Sequence, residues 1–175
     1  MRPAIVSLSS ATYSRWIPLN WRAMAGVYSI GLGVKLTSGA SLTYSVQHTF
    51  DNPWQSSIDW SASRSTTTGT ITKIAHGLSV ADWVQFDAAA PFNASYAVAG
   101  YTDADTFTVT VANSGATSVG WGSAQIHTAK VFNHQNLVSK TSSDFDNYAF
   151  PARACRLIIT SYTSGSAELT VVEAG

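Results

Sequence analysis

Four histidines, ten carboxylates and one cysteine are the side chains of this 175-residue chain that could hold a metal or move a proton. His127 and His134 stand seven residues apart, and neither has a Cys or carboxylate beside it at the spacing of a zinc site. Asp144-Phe145-Asp146-Asn147 and Asp103-Ala104-Asp105 each pair two carboxylates, as calcium loops do. Neither run continues with a Gly at the bend and a bidentate Glu, so Asx side chains bonding the local backbone account for both. Serines are everywhere, but no Gly-x-Ser-x-Gly elbow accompanies one. An enzyme would need a pocket that gathers His134 with Asp144 or Asp146. Cys155 opens the apolar run Ala154-Cys155-Arg156-Leu157-Ile158-Ile159 and reads as a buried packing thiol; no second cysteine exists to pair with it. His48 lies between Val46 and Phe50 in side-chain order and reads as a core histidine, while His76, before Gly77, braces a bend. The residues point to no enzyme, no metal and no cofactor.

The elements that would position any site are strands. Leu42, Tyr44, Val46, His48 and Phe50 alternate with Thr43, Ser45, Gln47 and Thr49, the period-2 pattern of a strand with one buried face. Tyr28, Ile30, Leu32, Val34 and Leu36 alternate with Ser29, Gly31, Gly33 and Lys35 in the same way. Further short strands are predicted over 70–74, 83–87, 96–101, 106–112, 130–132, 156–162 and 167–173. Thr163-Ser164-Gly165-Ser166 joins the last two as a hairpin, and 142–147 reads as a turn. The polar stretch 61–69 reads as a linker. No comparable run shows apolar residues at helical spacing. Short, evenly spaced strands predict an all-β chain, an antiparallel sandwich or barrel. The expected organisation is a discontinuous β-sandwich, 1–63 with 127–175, carrying a small β domain, 64–126, inserted in a loop.

Composition narrows the function. Ser and Thr number 24 and 19, whereas charged residues are 11% of the chain, under half the usual share of about 25%. The formal net charge is zero and no basic run exists, which argues against nucleic acid as a partner. Residues 1–6 hold no apolar core of a leader, and no apolar run approaches the length that crosses a bilayer, so no membrane partner is expected. A surface this poor in charge repels its neighbours weakly and suits packing into an assembly. Trp16, Trp21, Trp54, Trp60, Trp83 and Trp121 are many for the length; Trp83 alternates into the inserted domain, and the loop tryptophans suit subunit contacts. The candidate interface comprises Arg15, Trp16, Trp21, Arg22, Trp54, Trp60, Trp121 and Arg153, with Lys35 and Arg156 as further rim cations.

Several segments carry a resemblance. Trp16-Ile17-Pro18-Leu19, Leu42 to Asp51, Asn147 to Arg153, Arg156 to Gly165 and Leu169-Thr170-Val171 together resemble, in order, a small virion protein of tailed bacteriophages. The middle of the chain resembles a different phage structural module through Ile74-Ala75-His76-Gly77-Leu78, Asp82-Trp83-Val84-Gln85-Phe86, Asn93-Ala94-Ser95-Tyr96 and Asp105-Thr106-Phe107-Thr108-Val109. That module usually has Asn-Gly-x-Tyr where this chain has Asn93-Ala94-Ser95-Tyr96. The resemblance implies a jelly-roll capsid decoration or cement protein, made in the host cytoplasm and placed on the capsid exterior. Its partners would be the major capsid protein and copies of itself, met through low-charge surface around 2–22. The alternative it leaves open is a neck, tail or fibre protein whose inserted domain binds a host-surface glycan through Trp60, Trp121 or Tyr101.

Overall fold

The computed structural model describes residues 3–20 and 29–173. The fold is all-β with antiparallel sheets, as the alternation predicts. Two compact units divide the chain, residues 1–50 with 132–175 and residues 51–131.

Among the described residues the discontinuous unit has eight strands: β1 (Ala4–Leu8), β2 (Ile17–Pro18), β3 (Ile30–Leu36), β4 (Ser41–Thr49), β13 (Phe132–Asn133), β14 (Asp144–Tyr148), β15 (Ala154–Ser164) and β16 (Ala167–Glu173). They form two four-stranded sheets, ordered β1-β16-β3-β14 and β13-β4-β15-β2. Counted within this unit alone, that is 1-8-3-6 over 5-4-7-2, the strand order of a jelly roll. The inward residues of both sheets make one core: Val6, Leu32, Val34, Leu169 and Val171 from the first, Leu42, Tyr44, Val46, Leu157 and Ile159 from the second. Cys155 joins them fully buried, and burial pushes its thiol up to about 12, which keeps it protonated.

The remaining unit contains β5 (Ser56–Ser57), β6 (Ser61–Ser65), β7 (Thr68–Thr72), β8 (Trp83–Asp87), β9 (Ser95–Tyr101), β10 (Thr106–Thr110), β11 (Ser118–Val119) and β12 (Gln125–Ala129). These make one sheet ordered β11-β6-β7-β10-β9-β8-β12-β5. The sheet curls until its two ends approach: the Gly122 N–H, just past β11, donates to the Ile58 carbonyl, just past β5, at 3.1 Å. Trp60, Ile71, Val84, Phe86, Phe92, Val98, Phe107, Val109 and Ile126 fill the interior. Asp82 is buried and clamps two loops, accepting from the Ser79 N–H at 2.7 Å and the Val131 N–H at 2.9 Å.

Three local expectations change. The stretch 61–69 is not a linker but most of the β6–β7 hairpin, paired Ser61↔Thr72 through Ser65↔Thr68. Its inward face is carried by Ala62, Gly69 and Ile71, too small a signal to register as alternation. A Cβ at Gly69 would stand 3.0 Å from the Phe92 ring and 3.1 Å from Val109, so the missing side chain is what lets the barrel close there. Because β5, β6 and β12 all bond within the inserted sheet, its bounds are 51 and 131 rather than 64 and 126. The second change is at 142–147, expected as a turn, where β14 runs antiparallel to β3 from Asp144↔Val34 to Tyr148↔Ile30.

The third is the connection between β15 and β16, which turns where predicted but is not a hairpin. β15 pairs with β4 and β2 and β16 with β1 and β3, so the chain crosses from one sheet to the other at Gly165, which is required there. Its φ is +92°, and a Cβ there would lie 2.5 Å from Ala40 Cβ and 2.7 Å from Ala40 Cα. Ser166 and Thr37 exchange bonds beside it, Thr37 N–H to Ser166 O at 3.0 Å and Ser166 N–H to Thr37 Oγ1 at 2.9 Å. Gly165→Ala combines an unfavourable φ with a backbone clash, so it should cost about 2 kcal/mol or more in urea unfolding. Gly39→Ala is the comparison: φ is +72° but open space surrounds the new methyl, so it should cost only about 1 kcal/mol.

Candidate interface

The most concentrated exposed feature of the jelly roll is aromatic. β4 ends in Gln47-His48-Thr49, Phe50 follows it, and β13 lies against it with Phe132 opposite His48. Tyr148 closes β14, and Phe150 follows two residues later. The His48 ring is the centre: its centroid is 5.4 Å from Phe50, 5.8 Å from Phe132, 5.2 Å from Tyr148 and 5.2 Å from Phe150. Phe50 also stands 5.5 Å from Phe132 and 6.1 Å from Phe150. These are the spacings of interacting ring pairs. His48 and Tyr148 form a buried floor at 6% and 0% exposure, whereas Phe50, Phe132 and Phe150 keep 51%, 45% and 41% of their surface in water. Three adjoining half-exposed phenylalanines on a rigid floor offer a large contact area at little conformational cost.

The electrostatics of the floor are equally apolar. Burial, reinforced by the neighbouring His134, lowers the His48 pKa to about 4, and its Nδ1 has no hydrogen-bond partner. His48 is thus the core histidine its place in the alternation predicts, held by ring packing at that nitrogen rather than by a hydrogen bond. His134 does behave as a structural histidine. Its Nε2 bonds the Asn147 carbonyl at 3.2 Å, and its Nδ1 accepts the N–H groups of Asn136 and Leu137 at 3.2 and 3.3 Å. His134 Nδ1 and Asp146 Oδ2 come within 3.9 Å, the meeting an enzyme would need. Both ring nitrogens are nevertheless committed to the backbone, and Asp146 Oδ2 accepts from Asn136 Nδ2 at 2.7 Å. The pair locks a loop onto β14.

The residues singled out from sequence disperse. Arg15 is exposed and Arg153 half-buried, while Trp21 and Arg22 lie outside the described residues. Trp16 and Arg156 are not surface groups at all, at 6% and 1% exposure. Segment 12–16 folds over β15, Ser14 bonding Leu157 through both its N–H and its Oγ. The Arg156 guanidinium then lies 4.2 Å from the Tyr13 ring and 4.5 Å from the Trp16 ring, with Nε and Nη2 donating to Gln47 Oε1 at 3.0 and 2.8 Å. Trp60 is likewise withdrawn: fully buried, 4.8 Å from the Phe86 ring, its Nε1 donating to Ala124 O at 2.9 Å. Trp54, Trp121 and Tyr101 do remain exposed on the inserted unit, at 46%, 54% and 62%. Lys35 is exposed on β3.

His76 braces its bend as expected, accepting from Leu78 N–H at 2.9 Å and meeting the Asp103 carbonyl at 3.1 Å. Asp103 satisfies local backbone, at the Asp105 N–H (2.8 Å), whereas Asp105 reaches a distant segment, at the Ala75 N–H (2.7 Å). Among the described residues no three His, Cys, Asp or Glu side chains converge on a point that could hold a metal ion.

No known family model, curated protein or solved structure matches the chain.

The Phe50, Phe132 and Phe150 patch was missed from sequence because its members converge only through β-pairing. The one available signal was Phe50 at the end of an alternating run, and it pointed inward. The His48 floor makes a pH test. An unfolded histidine takes a proton near 6.5, while folded His48 stays neutral down to about 4. The contribution is intact above 6.5 and lost as pH falls toward 4, amounting to about 3 kcal/mol. Urea midpoints taken across that window should fall for the wild type and fall distinctly less for His48→Phe.

Proposed function

We propose that this chain is a non-enzymatic structural protein of a tailed-bacteriophage virion, most specifically a decoration protein bound to the outside of the capsid. The observation that carries the reading is the half-exposed Phe50, Phe132 and Phe150 triad on the jelly roll. On a chain so rich in Ser and Thr and so poor in charge, three such rings gathered around one histidine favour a protein partner. The major capsid protein would supply a matching apolar depression. Many identical weak contacts on a shell add up to firm attachment without tight single affinity. Arg153, whose N–H bonds the Thr49 carbonyl next to Phe50, suits the rim of such a contact.

A second reading is favoured by one observation on the inserted unit. Tyr101, 62% exposed, borders a shallow depression of about 560 Å³ with His76, Leu78, Ser79 and Asp103. An aromatic face beside hydroxyl and carboxylate groups suits a sugar ring, the arrangement a fibre or tail protein would use for a host glycan.

Binding purified protein to particles that lack it separates the two. Phe132→Asp and Phe150→Asp should each weaken attachment about 30-fold, the loss of a central anchor, and particles left bare should lose heat and osmotic resistance. Tyr101→Ala should leave attachment unchanged. If bare particles keep their resistance but fail to adsorb to cells, the decoration reading is wrong.

A further inference from the structure

Sheet edges are where β proteins associate, and nearly every edge among the described residues is defended. β14 has two defences. Its Phe145 and Asn147 N–H groups donate to the carboxylates of the preceding Asp144 and Asp146, at 2.9 and 2.8 Å. Segment 134–136 then lies along it, through His134 Nε2 on Asn147 O and Asn136 Nδ2 on Asp146 Oδ2. β13 and β2 are two residues long, and β2 ends in Pro18. At the ends of the inserted sheet, β11 and β5 are also two residues long. Short strands, proline and inward or capping carboxylates are the usual protections against unwanted pairing.

β1 has none of these within its length. Ala4-Ile5-Val6-Ser7-Leu8 carries no charge and no proline, and it pairs on one side only, with β16, from Ala4↔Val171 to Leu8↔Ala167. Val6 points into the core, Ala4 and Leu8 are only partly covered, and Ile5 is 46% exposed on the outer face. Among the described residues this is the longest edge without a guard.

We propose that β1 is the self-association site of this protein: two copies pair β1 to β1 antiparallel across a two-fold axis at Val6. Self-complementarity selects the occupant. In that register Ala4 meets Leu8 of the copy and Ile5 meets Ser7, so the apolar face continues from one sandwich into the next and no like charges oppose. The nearest charge on the outer face, Glu168 on β16, is matched by Lys35 across the β3 ladder. A head-to-tail alternative, β1 on β14 of the next copy, would have to displace the Asp144 and Asp146 caps. The isologous pairing closes after two copies and exposes no new edge. The inference specifies the self-contact of the proposed function, but it stands or falls separately from shell binding.

A five-residue edge buries less than the ~800 Å² per partner of a stable dimer, so micromolar association is expected. Sedimentation equilibrium of the full chain up to about 500 μM should show a monomer–dimer equilibrium. Ile5→Lys, at a half-exposed position that leaves the fold intact, should raise the dissociation constant at least about tenfold, since the axis counts the change twice. Mixing Ile5→Cys protein with Ser7→Cys protein under oxidation should give a cross-linked dimer at a higher yield than either alone. A monomer at all concentrations, or a dimer indifferent to Ile5→Lys, would overturn the proposal. So would β1 amides protected from exchange only on the particle, which would assign the edge to a strand of another protein. A wild-type chain that binds the shell but never self-associates would reject this inference and leave the decoration reading in place.

Discussion

The β4–β15 ladder is the interaction on which the rest depends. It joins residues that flank the inserted unit in sequence, running from Ala154↔Thr49 to Ser164↔Ser41 with two register shifts. Every other part of the jelly roll is placed by reference to it. β13 and β2 attach to its two sides, and the core beneath it meets the opposing sheet through Tyr44, Val46, Leu157 and Ile159. Such long-range pairing is costly to initiate, because the chain between must be looped out before any contact rewards it. The insertion folds around its own core of Trp60, Phe86, Phe92 and Phe107, which makes that loop a body rather than a floppy excursion.

Around this ladder the protein manages polarity unusually. Where other β-sandwiches set Lys and Glu on their outward positions, this one uses Ser and Thr. Its most conspicuous cation, Arg156, is taken inside, between two aromatic rings and Gln47. An Arg so enclosed cannot reach a partner; it fixes segment 12–16 to β15. Phe50, Phe132 and Phe150 gather half-exposed apolar area around His48. Together these features describe a molecule with little long-range electrostatic character.

Much of the fold was legible because alternation survives wherever a strand has one large apolar face, as in 30–36, 42–50 and 167–173. It failed at β6, where Ala62 and Gly69 give the inward face no hydrophobic weight, and at β14, where Asp144, Asp146 and Asn147 imitate a turn. There the Asx–backbone bonds were anticipated, but they cap an edge strand rather than a bend. The candidate site was far less legible. Whether a tryptophan or arginine faces water is decided by which distant segment covers it, as segment 12–16 covers Arg156 and the barrel encloses Trp60. Phe50, Phe132 and Phe150 are brought together by register alone, which no local pattern encodes.

The central claim is that the phenylalanine end of this jelly roll is a buried contact in an assembled particle. A density map of intact particles tests it most directly. The account predicts the chain on the capsid exterior, with Phe50, Phe132 and Phe150 seated against the shell. A particle without this chain, or one in which those three rings face solvent, would contradict it.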